Sequence, residues 1–349
     1  MPKGNRRSRG TTTILDVASA AGVSSMTVSR VVNGATNVRP STRDLVLETI
    51  ARLNYSPNTA ARSLAAGHAT HIGLFYANPS DAYLTQFLVG ALDGARRAGC
   101  HLVLEVCEGE TPEAQAEATR RFASTNVEGV ILPPPISEYE PVHAELAAAG
   151  IPVVSVARGR QPTDTLNVGI DDHGAAKTIT RHLIELGHRH IGLIRGHPEH
   201  MASAERQRGF ADALREAGID PAEAPVEQGF FSYRSGLVAA EQLLTRCPRP
   251  TAIFASNDDM AAAAVSVAHR SGLEVPGDVS IVGFDDTSLA TTVWPELTTI
   301  RQPIAAMADA ALTLLLAKLH GRRGADGAPV NERILDFEFI VRDSAGPPR

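Results

Sequence analysis

Ser25, Met26 and Arg30 have the types and spacing of a base-reading set. The first two open a short helical stretch, SSMTVSRVVN, and the arginine follows about one turn later. A guanidinium so placed can make two parallel hydrogen bonds to O6 and N7 of a guanine in the major groove. The competing account is a three-helix fragment with no DNA role. A second set lies far along the chain: Arg206 in AERQRGF, Asn257 at the end of TAIFASN, and Asp285 near the end of VSIVGFDD. In α/β folds the carboxyl ends of strands are where ligands bind. An arginine, an amide and a carboxylate converging there donate and accept in fixed directions, which suits a sugar. Each also has a plainer use, since Asp285 can cap a turn and Arg206 can pair with Glu205 or a surface acid. Phe231 can belong to the core.

Catalytic signatures are missing. No G-x-G-x-x-G follows a strand-like stretch, and neither G-x-x-x-x-G-K-[ST] nor G-x-S-x-G occurs. His188, His190, His197 and His200 cluster in sequence, but no cysteine or carboxylate set accompanies them at ligand spacing. The expectation is a protein without catalytic residues, metal or cofactor.

The elements that must position the first set are short. ILDVASAA (14–21) reads as a helix stopped by Gly22. Ser24 reads as the N-cap of the next helix and Gly34 as its C-terminal stop. A third helix is expected to open on a Ser41–Asp44 capping box and to run through Leu45, Ile50 and Leu53 to Asn54. Val17, Val23, Val28 and Val32 can form a small core. Two short helices joined by A-G-V-S have the spacing of a helix-turn-helix.

Charge divides the same way. The whole chain is −6, yet residues 1–68 hold nine Lys/Arg against three acids, so a head of +6 precedes a remainder of −12. A small basic module on an acidic body is the footprint of DNA binding. No apolar run approaches the ~18 residues needed to span a bilayer. The basic, polar start MPKGNRRSRGTTT lacks an apolar core, so a secretory signal is not expected. Cys100, Cys107 and Cys247 match no disulfide framework. A cytoplasmic, nucleoid-associated protein with no membrane partner is expected.

From residue 70 onward, short apolar strands alternate with helical stretches of ~15 residues, the pattern of parallel sheets covered by helices. One series runs through HIGLFYA, HLVLEV, GVILPP and IPVVSVA. A second runs through HIGLIRG, TAIFAS and VSIVGFDD. Two Rossmann-like lobes are expected.

The stretch ILDVASAAGVSSMTVSRVVNGATNVRPSTRDLVLETIARLNYSPNTAARSLAAG resembles the N-terminal module of the LacI/GalR (lactose-repressor) family of bacterial transcriptional regulators. GHRHIGLI, AERQRGF, AIFASNDDMA, VSIVGFDD and PELTTIRQP resemble the same family's body. The resemblance implies an α + α/β protein. A three-helix helix-turn-helix head with a hinge helix is joined to a two-lobed, periplasmic-binding-protein-like body of Rossmann-like parallel sheets. The implied divisions are a basic disordered arm (1–11), the DNA-binding domain (12–56), a hinge helix and linker (57–68), and an effector-binding and dimerisation domain (69–349). Lobe 1 takes about 70–166 plus 301–328, and lobe 2 about 167–298 plus 329–344.

Carried over by position, the DNA contacts are Thr13, Ser24, Ser25, Met26, Ser29, Arg30, Asn33, Tyr55 and Asn58. Leu64 is the hinge leucine that would wedge into the minor groove and kink the duplex. The effector contacts are Tyr83, Arg206, Phe231, Asn257 and Asp285. Many relatives carry an aspartate at the end of the fourth strand, where this chain has Ala157, so no particular sugar is named. The implied function is a repressor bound as a homodimer to a pseudo-palindromic double-stranded operator and controlled by a sugar or sugar derivative. The chain ends without a heptad segment, so a tail-tethered tetramer is not expected. Two alternatives stay open: a corepressed regulator answering to a nucleobase or nucleoside, and a cytoplasmic binding protein without DNA function.

Overall fold

The computed structural model describes residues 13–32, 38–53, 70–107, 111–157, 165–321 and 331–349. It divides into two compact units, residues 1–69 and 70–349. The arm (1–11), Asn33, the expected stop at Gly34, Asn54, Tyr55 and the hinge stretch 57–68 with Asn58 and Leu64 lie outside the described residues.

The first unit contains α1 (Ile14–Ala21), α2 (Ser25–Val32) and α3 (Pro40–Arg52). Thr13 and Asp16 form a reciprocal box at the start of α1. The Asp16 carboxylate receives the Thr13 amide and hydroxyl, each at 2.7 Å, and the Asp16 amide donates to the Thr13 hydroxyl oxygen. Gly22, at φ 64°, supplies the left-handed residue that ends the helix. Ser24 Oγ then caps α2 by accepting from Thr27 N at 3.1 Å.

The expected Ser41–Asp44 box is not formed. α3 begins at Pro40, and its N-cap, Arg39, makes no side-chain cap. Proline arrives with φ already near the helical value, so it starts the helix one residue early and leaves Ser41 inside it. Val17, Val28, Val31 and Val46 form the buried centre of this unit, with Val23 and Ile50 packed on them. Val31, not singled out in the sequence, is buried there as well, and the side chain of Val32 lies outside the described residues.

The second unit is built on two parallel sheets. In the larger, strands β1 (His71–Tyr76), β2 (His101–Val106), β3 (Gly129–Leu132), β4 (Val153–Val156) and β5 (Leu166–Ile170) are joined by β11 (Glu332–Leu335) in the order β11-β5-β4-β3-β1-β2. In the smaller, β6 (Ile191–Arg195), β7 (Val226–Gln228), β8 (Ala252–Ala255) and β9 (Ser280–Val282) lie in the order β7-β6-β8-β9. β10 (Thr299–Arg301) and β12 (Glu338–Ile340) form a separate antiparallel ribbon. Most strand residues of β1, β3, β5, β6 and β8 are buried, as strands covered on both faces must be.

Helices α4 (Asp81–Ala98) and α11 (Ile304–Leu319) pack together over the larger sheet. Their closeness depends on Gly90, where a Cβ would sit 2.2 Å from the Ala305 carbonyl oxygen. α5 (Pro112–Ala123) and α6 (Glu140–Ala148) pair in the first lobe, α7 (Asp172–Glu185) and α8 (Met201–Glu216) in the second, as do α9 (Tyr233–Leu244) and α10 (Asp258–Arg270). Among the described residues no helix is long and apolar enough to cross a membrane.

The lobe boundaries differ from those read in the sequence. Both β5 and β11 belong to the first lobe's sheet, β5 through β4 and β11 through β5. The division expected at 166/167 and 328/329 therefore moves to the ends of these two strands. Among the described residues the chain crosses between lobes three times, after β5, after β10 and after β11.

Candidate functional site

On the first unit, α2 turns Val28 and Val31 inward and leaves Ser25, Met26 and Arg30 exposed. Met26 is 63 % exposed, a large apolar side chain with no packing role. Ser29 is half-buried beside them. The face is what a major-groove reader requires: a polar pair, an apolar contact and a long cation on consecutive turns. Thr13 and Ser24 sit at the starts of α1 and α2, and each already serves as a helix cap.

In the second unit all five expected effector residues line one cleft. Tyr83 comes from the first turn of α4. Arg206 comes from α8, and Phe231 from the turn before α9. Asn257 caps α10, and Asp285 follows β9. Arg206 is buried. Its Nε donates to Asp172 Oδ1 at 2.8 Å and its Nη1 to the Ser256 carbonyl at 2.6 Å, while Asp285 Oδ1 lies 3.8 Å away. The guanidinium lies on the face of Phe284, 3.6 Å from the ring centre. Gln302 Nε2 donates to Asp285 Oδ1 at 2.6 Å.

Asn257 accepts from Met260 N at 3.0 Å and donates to the Phe231 carbonyl at 2.9 Å, which fixes the turn that carries the ring. That ring lies on Gly196, where any Cβ would fall 1.9 Å from Phe231 Cζ. Ala157, Phe231 and Asp285 all adopt positive φ (56°, 59° and 112°). Three non-glycine residues in the left-handed region around one cleft mark a place where packing holds backbone strain for a purpose.

The electrostatics follow from burial. Desolvation pushes Asp285 up to about 7, opposed by Arg206 and Gln302. Asp172 is raised for the same reason, again opposed by Arg206. His200, stacked parallel to Phe231 at 5.7 Å, is pushed down to about 4 by burial and is neutral. The Tyr83 phenol is buried and pushed well above its usual value. Its hydroxyl has no hydrogen-bond partner among the described residues. A buried hydroxyl without a partner at the wall of a cleft is free to donate to a ligand bound there. Tyr83→Phe is therefore expected to lower effector affinity about tenfold while leaving the melting temperature unchanged or raised. A fall in melting temperature with full affinity would refute that role.

Several cleft residues were not picked out from the sequence. Gln302 lies in the quoted PELTTIRQP stretch without having been assigned a role. Asp172, rather than Glu205, is the partner of Arg206, and Glu205 pairs instead with Arg208. Ser80 caps α4 and donates to Asp259 Oδ2 at 2.6 Å, and Glu138 Oε1 accepts from Met201 N at 3.3 Å, so both tie the lobes together at the cleft. Of the histidines, His188 bonds Thr251, Ser280 and Gly346, and His190 bonds the Pro248 carbonyl. Both serve the fold. Among the described residues no group of three or more His, Cys, Asp or Glu is arranged to hold a metal ion.

An exposed recognition helix on one unit and a two-lobed α/β ligand cleft on the other define a class, the effector-responsive DNA-binding regulators. Comparison with known proteins places the chain there. Residues 13–58 match the bacterial regulatory proteins of the lacI family, and residues 180–345 match the periplasmic binding protein-like domain. The chain is 36 % identical to catabolite control protein A of Priestia megaterium over 304 residues, 87 % of this chain and 91 % of that one. It is 35 % identical to the transcriptional regulator CelR of Thermobifida fusca, over 94 % of this chain and 96 % of that one. It is also 36 % identical to the repressor PurR of Klebsiella pneumoniae, over 89 % and 91 %.

Among solved structures, a CelR–cellobiose complex superposes with a TM-score of 0.72 at 32 % identity, covering 95 % of this chain and 99 % of that one. The Lac repressor dimer bound to operator and an anti-inducer superposes at 0.71 and 29 %, covering 97 % and 100 %. The chain belongs to the lacI family and is a DNA-binding transcriptional repressor under ligand control.

Proposed function

We propose that two copies of this chain, in the cytoplasm at the nucleoid, bind a pseudo-palindromic operator, and that a sugar held between the lobes sets operator affinity without being chemically changed. The observation that carries the ligand half is the convergence of Tyr83, Arg206, Phe231, Asn257 and Asp285 on one cleft, with the Tyr83 hydroxyl unpaired among the described residues. An aromatic wall beside a carboxylate and a guanidinium suits a ring with an apolar face and hydroxyl edges. The dimer and the operator are supported by the likeness to the Lac repressor dimer, and the sugar by the likeness to the cellobiose complex. A nucleobase effector is the second reading. It is favoured by the parallel His200 and Phe231 rings, which present a flat surface. Melting against a panel of sugars, nucleobases and nucleosides decides between them, because a bound ligand stabilises by mass action.

On the DNA side, the exposed Ser25, Met26 and Arg30 favour an active reader over a binding protein that has lost its head function. Arg30→Ala is expected to cost about 1–3 kcal/mol per half-site and to relax specificity at one base position. A uniform loss across all operator positions, measured by competition with single-base variants, would make Arg30 a phosphate contact instead.

A further inference from the structure

Two aspartates follow β9 in succession, and only the first lines the cleft. Asp285 is met there by Gln302 and Arg206. Asp286 is gripped by two other cations: Arg301 Nε reaches one of its carboxylate oxygens and Arg342 Nη2 the other, each at 2.7 Å. Both backbones are left-handed, at φ 112° and 55°. Two successive residues with side chains do not stay in that region unless their surroundings hold them there.

The hold on Asp286 is built to last. Its side chain is 7 % exposed and that of Arg342 14 %, so little water screens the pair. Arg342 is fixed in turn, its Nη1 donating to the Leu297 carbonyl at 2.8 Å and its amide to the Thr298 hydroxyl at 2.9 Å. Arg301 closes β10 and bonds Glu338 across the ribbon at 2.7 Å. Its neighbour Gln302 holds Asp285, so two adjacent residues restrain two adjacent aspartates. The backbones are laced as well: the Asp285 amide donates to the Ile300 carbonyl at 2.8 Å, and the Gln302 amide to the Asp285 carbonyl at 3.2 Å.

We propose that Asp286 is a positioning residue for the effector site: gripped by Arg301 and Arg342, it holds the left-handed turn that aims the Asp285 carboxylate into the cleft. It acts through Asp285 and touches no effector itself. The proposal rests on Asp285 being a binding group and is the same for a sugar or a nucleobase.

The test needs no effector, because the aim of Asp285 shows in its own titration. Burial raises this carboxyl to about 7. The charged groups around it are Arg206 of α8, Asp172 of α7, and Asp258 and Asp259 of α10. Infrared difference spectroscopy on the full-length protein follows the protonated carboxyl against pH, the band being the one missing from Asp285→Asn. When the grip is broken the turn relaxes, the carboxyl regains water or draws closer to Arg206, and its midpoint falls. Asp286→Asn, Arg301→Gln and Arg342→Gln, each shown by circular dichroism and melting to fold like the parent, should all lower the midpoint by at least about one pH unit.

The arginine variants decide the matter, because charge alone works in the opposite direction: removing a nearby cation raises a carboxyl. Arg301, 45 % exposed at the end of its strand, carries this comparison if Arg342→Gln does not fold. Glu338→Gln changes the same network without touching Asp286 and should leave the midpoint in place. An unchanged midpoint in Asp286→Asn, a rise in the arginine variants, or a parent with no such band near neutrality overturns the positioning role. Failure of the functional reading is seen separately, as a protein whose melting answers to no sugar, nucleobase or nucleoside.

Discussion

Asp285→Asn is expected to weaken effector binding about a hundredfold by calorimetry while the protein folds normally. The asparagine keeps the shape and tolerates the positive φ of 112° at this position, where alanine would add backbone strain. What it removes is the charge. Two charge-assisted hydrogen bonds to effector hydroxyls weaken together by about 3 kcal/mol, which is the stated factor. If the effector is an inducer, the variant stays on its operator in the effector's presence; if it is a corepressor, the target genes stay on.

The same carboxyl gives a pH signature. It is raised to about 7 in the unliganded protein, chiefly by burial. Hydroxyl donors favour its ionised form, so binding near neutrality releases a proton, and affinity falls as pH drops from 8 to 6. Titrations in buffers of different ionisation enthalpy read that proton. Uptake in place of release, or the same pH dependence in the asparagine variant, would show that Asp285 does not hold the effector.

Arg206→Met has the larger effect on the fold. It leaves Asp172 and Asp285 buried without their cation, and breaking such a pair from one side costs about 3–5 kcal/mol. Lysine is no substitute, because it cannot lie flat on Phe284 and reach both Asp172 and the Ser256 carbonyl. The loss should depend on pH in a defined direction. Both carboxyls are already raised in the folded state, and removing the arginine raises them further. A raised carboxyl contributes stability that is fully present below its unfolded value, near 4, and lost as pH rises through the folded value. The deficit against the parent in urea should therefore be largest at pH 8 and shrink toward pH 5. A deficit independent of pH would mean that packing on Phe284, rather than charge, is what the arginine provides.

How much of this was legible in the sequence depends on how local the cause is. The reading face of α2 follows from a cap at Ser24 and a helical period, both contained within ten residues, and its exposure is as expected. The caps also show where local reasoning stops. Thr13–Asp16 and Ser41–Asp44 have identical spacing, yet only the first forms a box, because Pro40 starts its helix a residue sooner. Strand ends pointed to Arg206, Asn257 and Asp285, and these line one cleft. Their supporting partners were hidden. Asp172 reaches Arg206 across 34 residues and Gln302 reaches Asp285 across 17, separations that no periodicity reports. β11 was missed as a first-lobe strand for a different reason. Glu332, Arg333 and Ile334 are exposed at a sheet edge, so they carry no apolar signature of the strand they join.

The three crossings between lobes have a consequence for recombination. The head is separable from the body by one cut near residue 69, so a reader of one specificity can be exchanged for another in a single exchange of sequence. The second lobe is not separable in that way. It is entered after Ile170, left after Arg301 and entered again after Leu335, and its last segment is held to the rest by the Ser344 carbonyl accepting from Ile281 N and the Gly346 carbonyl bound by His188. A transplanted second lobe needs three junctions made at once, and any one or two of them leave a strand without its sheet. Shuffling within such a lineage should therefore pair new operators with old effectors readily, while effector specificity changes residue by residue inside the cleft.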